Sequence, residues 1–144
     1  MQIRRAGEND AVILARLSVL LWPSHEEAEM EQEFGEFLKR EDTALFLAEE
    51  SSAVGFAQCQ LRHDYVEGTD SSPVGYLEGI FVEEPYRSRG CARALLNACQ
   101  DWARSKGCVE FASDCELTNN GSLAFHLSVG FEEANRIICF TKKL

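Results

Sequence analysis

The stretch that most restricts how this chain can fold runs from Val74 to Gly107, VGYLEGIFVEEPYRSRGCARALLNACQDWARSKG. Its first nine residues are an apolar run broken only by glycines and Glu78, which reads as a strand. From Gly90 the residues read as a helix that closes at Gly107, a glycine C-cap. Between the two lies a basic turn, with Arg87, Arg89 and Arg93 gathered around Gly90. The rest of the chain runs the other way: 24 acidic residues against 14 basic ones give a formal net charge of −10. Backbone N–H groups at a helix start have no intrahelical partner, and with the helix dipole they attract anions. Glycine lets a ligand approach the backbone without a Cβ in the way. Successive N–H groups in such a loop form a nest for phosphate. The pattern therefore predicts a site for a phosphate-rich ligand around Gly90. It is neither the GxxxxGK[ST] of a P-loop nor the GxGxxG of a dinucleotide fold, since both are absent.

The remaining residues supply a sheet and helices around that unit. Gln2 to Ala6 reads as a strand. Asn9 or Asp10 caps a helix reaching Trp22, with Ile13, Leu14, Leu17, Leu20 and Leu21 on one face. Ser24 and Glu27 have the spacing of a capping box and open a second helix to about Arg40. Thr43–Glu49 and Ala53–Arg62 form a hairpin through residues 50–52. Residues 63–73 are a polar loop. Cys108–Asp114 reads as a strand, residues 119–130 as a helix, and 131–143 as a final strand or a hairpin turning near Asn135. This order predicts an α/β (α+β) chain: one domain over residues 1–144, with a mixed sheet and helices on both faces.

Several classes of function are excluded or disfavoured. Residues 1–25 lack a basic start followed by a long apolar run, and no stretch approaches the ~20 apolar residues of a membrane span. The six cysteines contain no CxxC pair and read as reduced thiols, as in a cytoplasmic protein. The three histidines are far apart, so no metal site is expected. The acidic balance opposes nucleic-acid binding and permits a cationic partner.

The segment Arg87-Ser88-Arg89-Gly90-Cys91-Ala92 resembles the [QR]xxGx[GA] motif of the GNAT superfamily of N-acetyltransferases, which cradles the pyrophosphate of acetyl-CoA. LEGIFVEEPYRSRGCARALL, Cys108–Asp114 and NGSLAFHLSVGFEE are similar, in the same order, to that family's strand–loop–helix core, its next strand and its later helix. The resemblance implies two parallel strands splayed apart, with acetyl-CoA in the gap. It implies that Ile80, Phe81 and Val82 hold the pantetheine arm through backbone groups, and that Arg87, Ser88, Arg89, Gly90, Cys91 and Ala92 hold the pyrophosphate. Asn119 would touch the pantetheine. Cys91, near the helix start, is expected to have a lowered pKa yet to be passive.

On the acceptor side, LWPSH, RHDYVEGTDSSPVGYLEGIFV and EFASD resemble one branch of the aminoglycoside 6'-N-acetyltransferases. This implies acetylation of the 6'-amine of drugs such as kanamycin and tobramycin, hence antibiotic resistance, by a homodimer. Read from the residues alone, Glu78 shares a strand face with Tyr76 and Ile80. A carboxylate there needs a partner: a ligand ammonium group, or an arginine such as Arg62 or Arg136. Asp114 lies at similar depth on the next strand, and either carboxylate could take the proton that an ammonium must lose. The resemblance places Trp22, His25 and Tyr65 beside the substrate, with Asp70 nearby. Trp22 also continues an apolar helix face, and His25 also suits a helix cap. His126 would either donate to the departing thiolate or only contact the cofactor. Asn135 stands where the branch often has an acidic substrate contact. Two other readings remain: an acetyltransferase for another amine, such as a polyamine or peptide N-terminus, and a non-enzymatic acetyl-CoA-binding regulator.

Overall fold

The structure, a computed structural model, describes all 144 residues. Strand β1 (Gln2–Arg5) leads through a 3-10 turn at Glu8–Asp10 into helices α1 (Ala11–Leu21) and α2 (Glu27–Phe37). Strands β2 (Thr43–Glu49), β3 (Ala53–Arg62) and β4 (Val74–Val82) follow, then helix α3 (Cys91–Ser105), strand β5 (Phe111–Ser113) and helix α4 (Asn120–Ser128). The sheet order is β1-β2-β3-β4-β5. The first four strands pair antiparallel and β5 joins β4 in parallel. A parallel neighbour needs a crossover, and α3 supplies it.

Each sheet face carries its own core. On one face α3 buries Leu95, Leu96, Cys99 and Trp102 against Ala44, Phe46, Ala57 and Leu77. On the other, Leu14 and Leu17 of α1 and Phe34 of α2 pack on Leu45, Leu47 and Phe56. Covering both faces explains why β2 reads TALFLAE and is buried nearly throughout. The predicted mixed sheet with helices on both faces is the observed architecture.

Three local expectations are corrected. The Ser24–Glu27 capping box does not form: α2 begins at Glu27, after Glu26, with no side-chain cap. Acidic residues in its first turn still suit the helix dipole. The expected strand at 108–114 shortens to Phe111–Ser113. The expected final strand is absent. Residues 131–144 run irregularly, and Ile137, Ile138 and Phe140 are 71%, 79% and 89% exposed. Their β-branched and aromatic pattern is strand-like, but a strand is stable only against a partner edge, and this segment pairs with neither outer strand of the sheet, β1 or β5.

Candidate active site

β4 and β5 separate where the chemistry is expected. Their pairing runs Gly75–Phe111, Tyr76–Ala112 and Leu77–Ser113, then stops. Beyond it the β5-facing peptide groups of residues 79–82 have no strand partner. Burial loosens at the same point: Val74 to Leu77 are buried and Glu78 to Phe81 only half-buried. Glu78 and Asp114 are the first residues past the last pair, which is the equal depth the sequence suggested.

A β-bulge sits at Glu78. Cys59 pairs with Leu77 and Gln58 with Gly79, so Glu78 has no opposite residue. Bulges shift the alternation of side chains by one. Ile80 consequently packs in the α3-side core with Leu77, while Gly79 faces Trp22. The expectation that Glu78 shares a face with both Tyr76 and Ile80 is thus half right. It lies with Tyr76, on the side of α1 and α2, and Ile80 is turned away.

On that side a polar network links the two carboxylates. Arg62 Nη2 donates to both Glu78 oxygens, at 2.8 and 3.1 Å, and Arg62 Nε donates at 3.2 Å. Gln60 Nε2 donates to Glu78 at 2.7 Å. Arg62 Cζ lies 3.5 Å from the centroid of the Tyr76 ring, a close cation–π stack. The Tyr76 hydroxyl donates to Asp114. Burial first, then the bond to Asp114, pushes the Tyr76 phenol well above its ordinary pKa, so it remains a donor. Of the two arginine partners proposed for Glu78, Arg62 is the one used. Arg136 instead pairs with Glu133.

Trp22 ends α1 with its ring on Gly79. A Cβ there would come within 2.7 Å of the indole, so only glycine lets the ring approach β4. Phe56 meets the same ring edge-on at 6.1 Å and His25, exposed, at 6.4 Å. Trp22 is therefore both a core side chain and a half-exposed wall beside the bulge. Tyr65 is 76% exposed in the 63–73 loop. Glu110 ties down that loop by accepting from the Asp70 N–H at 2.9 Å and from Ser71 Oγ at 2.5 Å. Asn135 donates to Glu67 of the loop at 3.1 Å. The Asp70 and Asn135 side chains are not brought to Glu78; the Asn135–Glu67 bond, with Ala134 lying against Gly68, links the tail to the loop.

His126, on α4, lies at the split itself. Its Nδ1 is 2.7 Å from the Ser122 carbonyl, which can only accept, so Nδ1 carries a proton. In the neutral ring Nε2 then accepts from Ser113 Oγ at 2.8 Å. The imidazole reaches the gap through this serine, which the sequence reading missed. Asn119 caps α4, its Oδ1 accepting from the Ser122 N–H at 3.1 Å.

The other half of the site is the turn before α3. Ser88 and Gly90 both have left-handed backbone, φ +59° and +82°, and flank Arg89. Alternating handedness of this kind turns successive N–H groups to one side. The first helical bond runs from Ala94 N–H to the Gly90 carbonyl, so the N–H groups of Cys91, Ala92 and Arg93 are free of the helix. Arg87 donates from Nε to the Val82 carbonyl at 2.8 Å, Arg89 pairs with Glu50 at 3.1 Å, and Arg93 reaches the Ser128 carbonyl at 3.2 Å. The arginines thus brace the loop as well as charging it. The Cys91 expectation is corrected. The thiol is buried and its pKa is raised, because desolvation outweighs the nearby Arg89. All six cysteines are unpaired, as expected. No group of three or more His, Cys, Asp or Glu side chains is arranged to hold a metal ion. No helix is long and apolar enough to cross a membrane.

The sheet thus opens at Glu78 and Asp114, beside a helix start whose free N–H groups suit an anion. The chain belongs to the acetyltransferase (GNAT) family, which residues 14–131 match. It is 44% identical to an aminoglycoside N(6')-acetyltransferase type 1 of Salmonella typhimurium, over 99% of each chain. It is 42% identical to another of Stenotrophomonas maltophilia, over 99% of this chain and 93% of that one. The solved structure of AAC(6')-Iy in complex with a bisubstrate analogue, CoA-S-monomethyl-acetylneamine, superposes with a TM-score of 0.94 at 40% identity, covering 99% of this chain and 98% of that one.

Proposed function

We propose that this single-domain chain is an aminoglycoside 6'-N-acetyltransferase that moves an acetyl group from acetyl-CoA directly to the drug's 6'-amine. The observation that carries the reading is the pair of carboxylates, Glu78 and Asp114, at the point where β4 and β5 part. Relatives above 40% identity over nearly the whole chain bear the same activity in their names.

Acetyl-CoA, bound as co-substrate, supplies the thioester. The free N–H groups of Ser88 to Ala92, with Arg87 and Arg89, suit its pyrophosphate. The unpaired edge of Ile80, Phe81 and Val82 suits its amide-bearing arm by strand addition. Asn119, the cap of α4, would touch the pantetheine. Glu78 and Asp114 attract the substrate's ammonium group and accept the proton it must lose, directly or through a water. A β4 N–H beyond Leu77 can donate to the oxygen on which negative charge grows. With His126 protonated at Nε2 as well, Ser113 could pass its hydroxyl proton to the departing sulfur while Nε2 resupplies the serine, leaving the neutral imidazole. Trp22, His25 and Tyr65 offer aromatic faces to the sugar rings. Asn135 removes one acidic contact from the acceptor side.

The working unit is a homodimer. The exposed Ile137, Ile138 and Phe140 support this, since an apolar run of that size is usually covered. Light scattering at micromolar concentration should give two chains' mass, and one chain's mass would remove the dimer. The cytoplasm is the expected location.

The test of function is free-thiol release from acetyl-CoA with kanamycin, spermine or a peptide N-terminus as acceptor. Robust turnover with kanamycin alone supports the reading. Robust turnover only with another amine replaces it, and cofactor binding without any turnover would leave a regulator.

A further inference from the structure

The carboxylate site is already filled. The Arg62 guanidinium holds both oxygens of Glu78 and lies flat on the Tyr76 ring, whose hydroxyl is spent on Asp114. A carboxylate, an aromatic face and a second carboxylate one bond away are what an ammonium-bearing acceptor would look for. One side chain of the protein takes that place itself.

We propose that Arg62 is an internal stand-in for the acceptor's ammonium group and must leave Glu78 before an acceptor amine can reach that carboxylate, which makes it a specificity-determining residue. The inference rests on the acetyl-transfer reading for the identity of the acceptor. Three observations carry it. Arg62 holds Glu78 from its bulge position, where the backbone gives the carboxylate no cross-strand partner residue. Gln60 remains bonded to Glu78 at 2.7 Å, so the carboxylate keeps a neutral donor when the guanidinium goes. Arg62 also has somewhere to go: its side chain is 38% exposed and lines an open cavity of about 420 Å3 with Arg40, His63, Asp64 and Tyr65.

Occupancy by Arg62 lowers the apparent affinity of an acceptor that binds through Glu78 alone by the fraction of molecules in which Glu78 is free. An acceptor with other contacts loses less. A singly charged amine must displace a bidentate, stacked guanidinium through one contact. A polycation brings further ammonium groups to the same acidic surface and keeps them whether or not Arg62 has moved. Arg62 therefore filters against small monoamines.

The test compares wild type, Arg62→Gln, Arg62→Lys and Arg104→Gln, with kanamycin and with 6-amino-6-deoxyglucose as acceptors. Arg104, far along α3 and paired with Asp101, controls for loss of one positive charge. Arg62→Gln should lower KM for kanamycin about threefold to fivefold, the size a half-exposed ion pair supports, and lower it more for the monoamine. Arg62→Lys, which cannot make the bidentate stack, should fall between, and Arg104→Gln should match wild type. A KM that rises, or equal falls in Arg62→Gln and Arg104→Gln, overturns the proposal. A second arm needs no turnover and no variant to fold: the Nε–H resonance of Arg62 in native protein. It should be protected in the free protein and lose protection at saturating kanamycin, and a signal that stays protected overturns the stand-in role. Wild-type protein that fails to acetylate either acceptor would sink the acetyl-transfer reading alone, because the resonance still reports on Arg62.

Discussion

The two halves of the site are built in different ways. The phosphate-binding half is one continuous stretch, in which Ser88, Gly90 and the first turn of α3 follow each other in the chain. The acceptor half is assembled from afar: Gln60 and Arg62 from β3, Tyr76 and Glu78 from β4, Asp114 after β5, and Trp22 from the end of α1. The first depends on backbone conformation, braced by Arg87, Arg89 and Arg93. The second depends on side chains and on the register of one strand pair. A fold of this kind can keep its cofactor half fixed while the acceptor half changes.

The comparison breaks most sharply at the carboxylates. Glu78→Gln should cut kcat/KM for kanamycin by about 10²- to 10⁴-fold, the range of a lost general base, and leave the KM for acetyl-CoA unchanged. Steady-state kinetics with each substrate varied in turn would check this, and a matching rise in the acetyl-CoA KM would show that the halves are not separate. Tyr76→Phe removes the donor to Asp114. A hydrogen bond to a charged group is worth about 1.5–3 kcal/mol, so a fall of about tenfold or more in kcat/KM is expected, again on the acceptor side only.

Two glycines sharpen the contrast. Gly79→Ala places a methyl 2.7 Å from Trp22 and should raise the KM for kanamycin by about tenfold, because the wall beside the bulge must move, at a cost typical of overpacking (about 1–3 kcal/mol). Gly90→Ala meets no neighbour within 4 Å but is held at φ +82°. Its cost is backbone strain of about 1–2 kcal/mol, and it should appear in the acetyl-CoA KM with the acceptor KM unchanged. The same kinetic experiment reads both, and equal effects on both substrates from either variant would blur the division.

The smallest effect lies outside both halves and calibrates them. Arg4 bonds Asp10 and Glu49 across the start of the sheet and holds the Asp10 carboxyl below the usual range. A depressed carboxyl stabilises the fold above its unfolded pKa of about 4, and that contribution is lost as pH falls through the lower folded value. Asp10→Asn should therefore lower the Tm at pH 7 by about 2–4 °C, and the difference from wild type should close as pH falls below the carboxyl's lowered folded value. Calorimetry across that range gives the answer, with kinetics at pH 7 unaffected.

How far the sequence could be read follows the same division. The strand–loop–helix from Val74 to Ser105 was legible because its signals are local: an apolar run, a glycine turn, an amphipathic helix. The positions of Glu78 and Asp114 were legible from strand depth alone. The bulge was not, although its signal was present, since Glu-Gly inside an apolar strand marks a break in pleating. Without the bulge Ile80 was put on the wrong face. Arg62 could be named only as one possible partner, because its meeting with Glu78 depends on the β3–β4 register. The Tyr76–Asp114 and Ser113–His126 bonds join residues 38 and 13 positions apart and carry no local pattern at all. The final strand was misread for the opposite reason: Arg136 to Phe140 has strand composition, but composition says nothing about whether a partner edge exists.

The central claim is that the carboxylates at the split deliver one particular amine to acetyl transfer. It is tested most directly by thiol release from acetyl-CoA with kanamycin and with an analogue carrying a hydroxyl in place of the 6'-amine. Turnover is expected with the amine and none with the hydroxyl analogue. Comparable turnover with both would mean that a different amine is acetylated, and that the acceptor half is oriented otherwise than Glu78 and Asp114 imply.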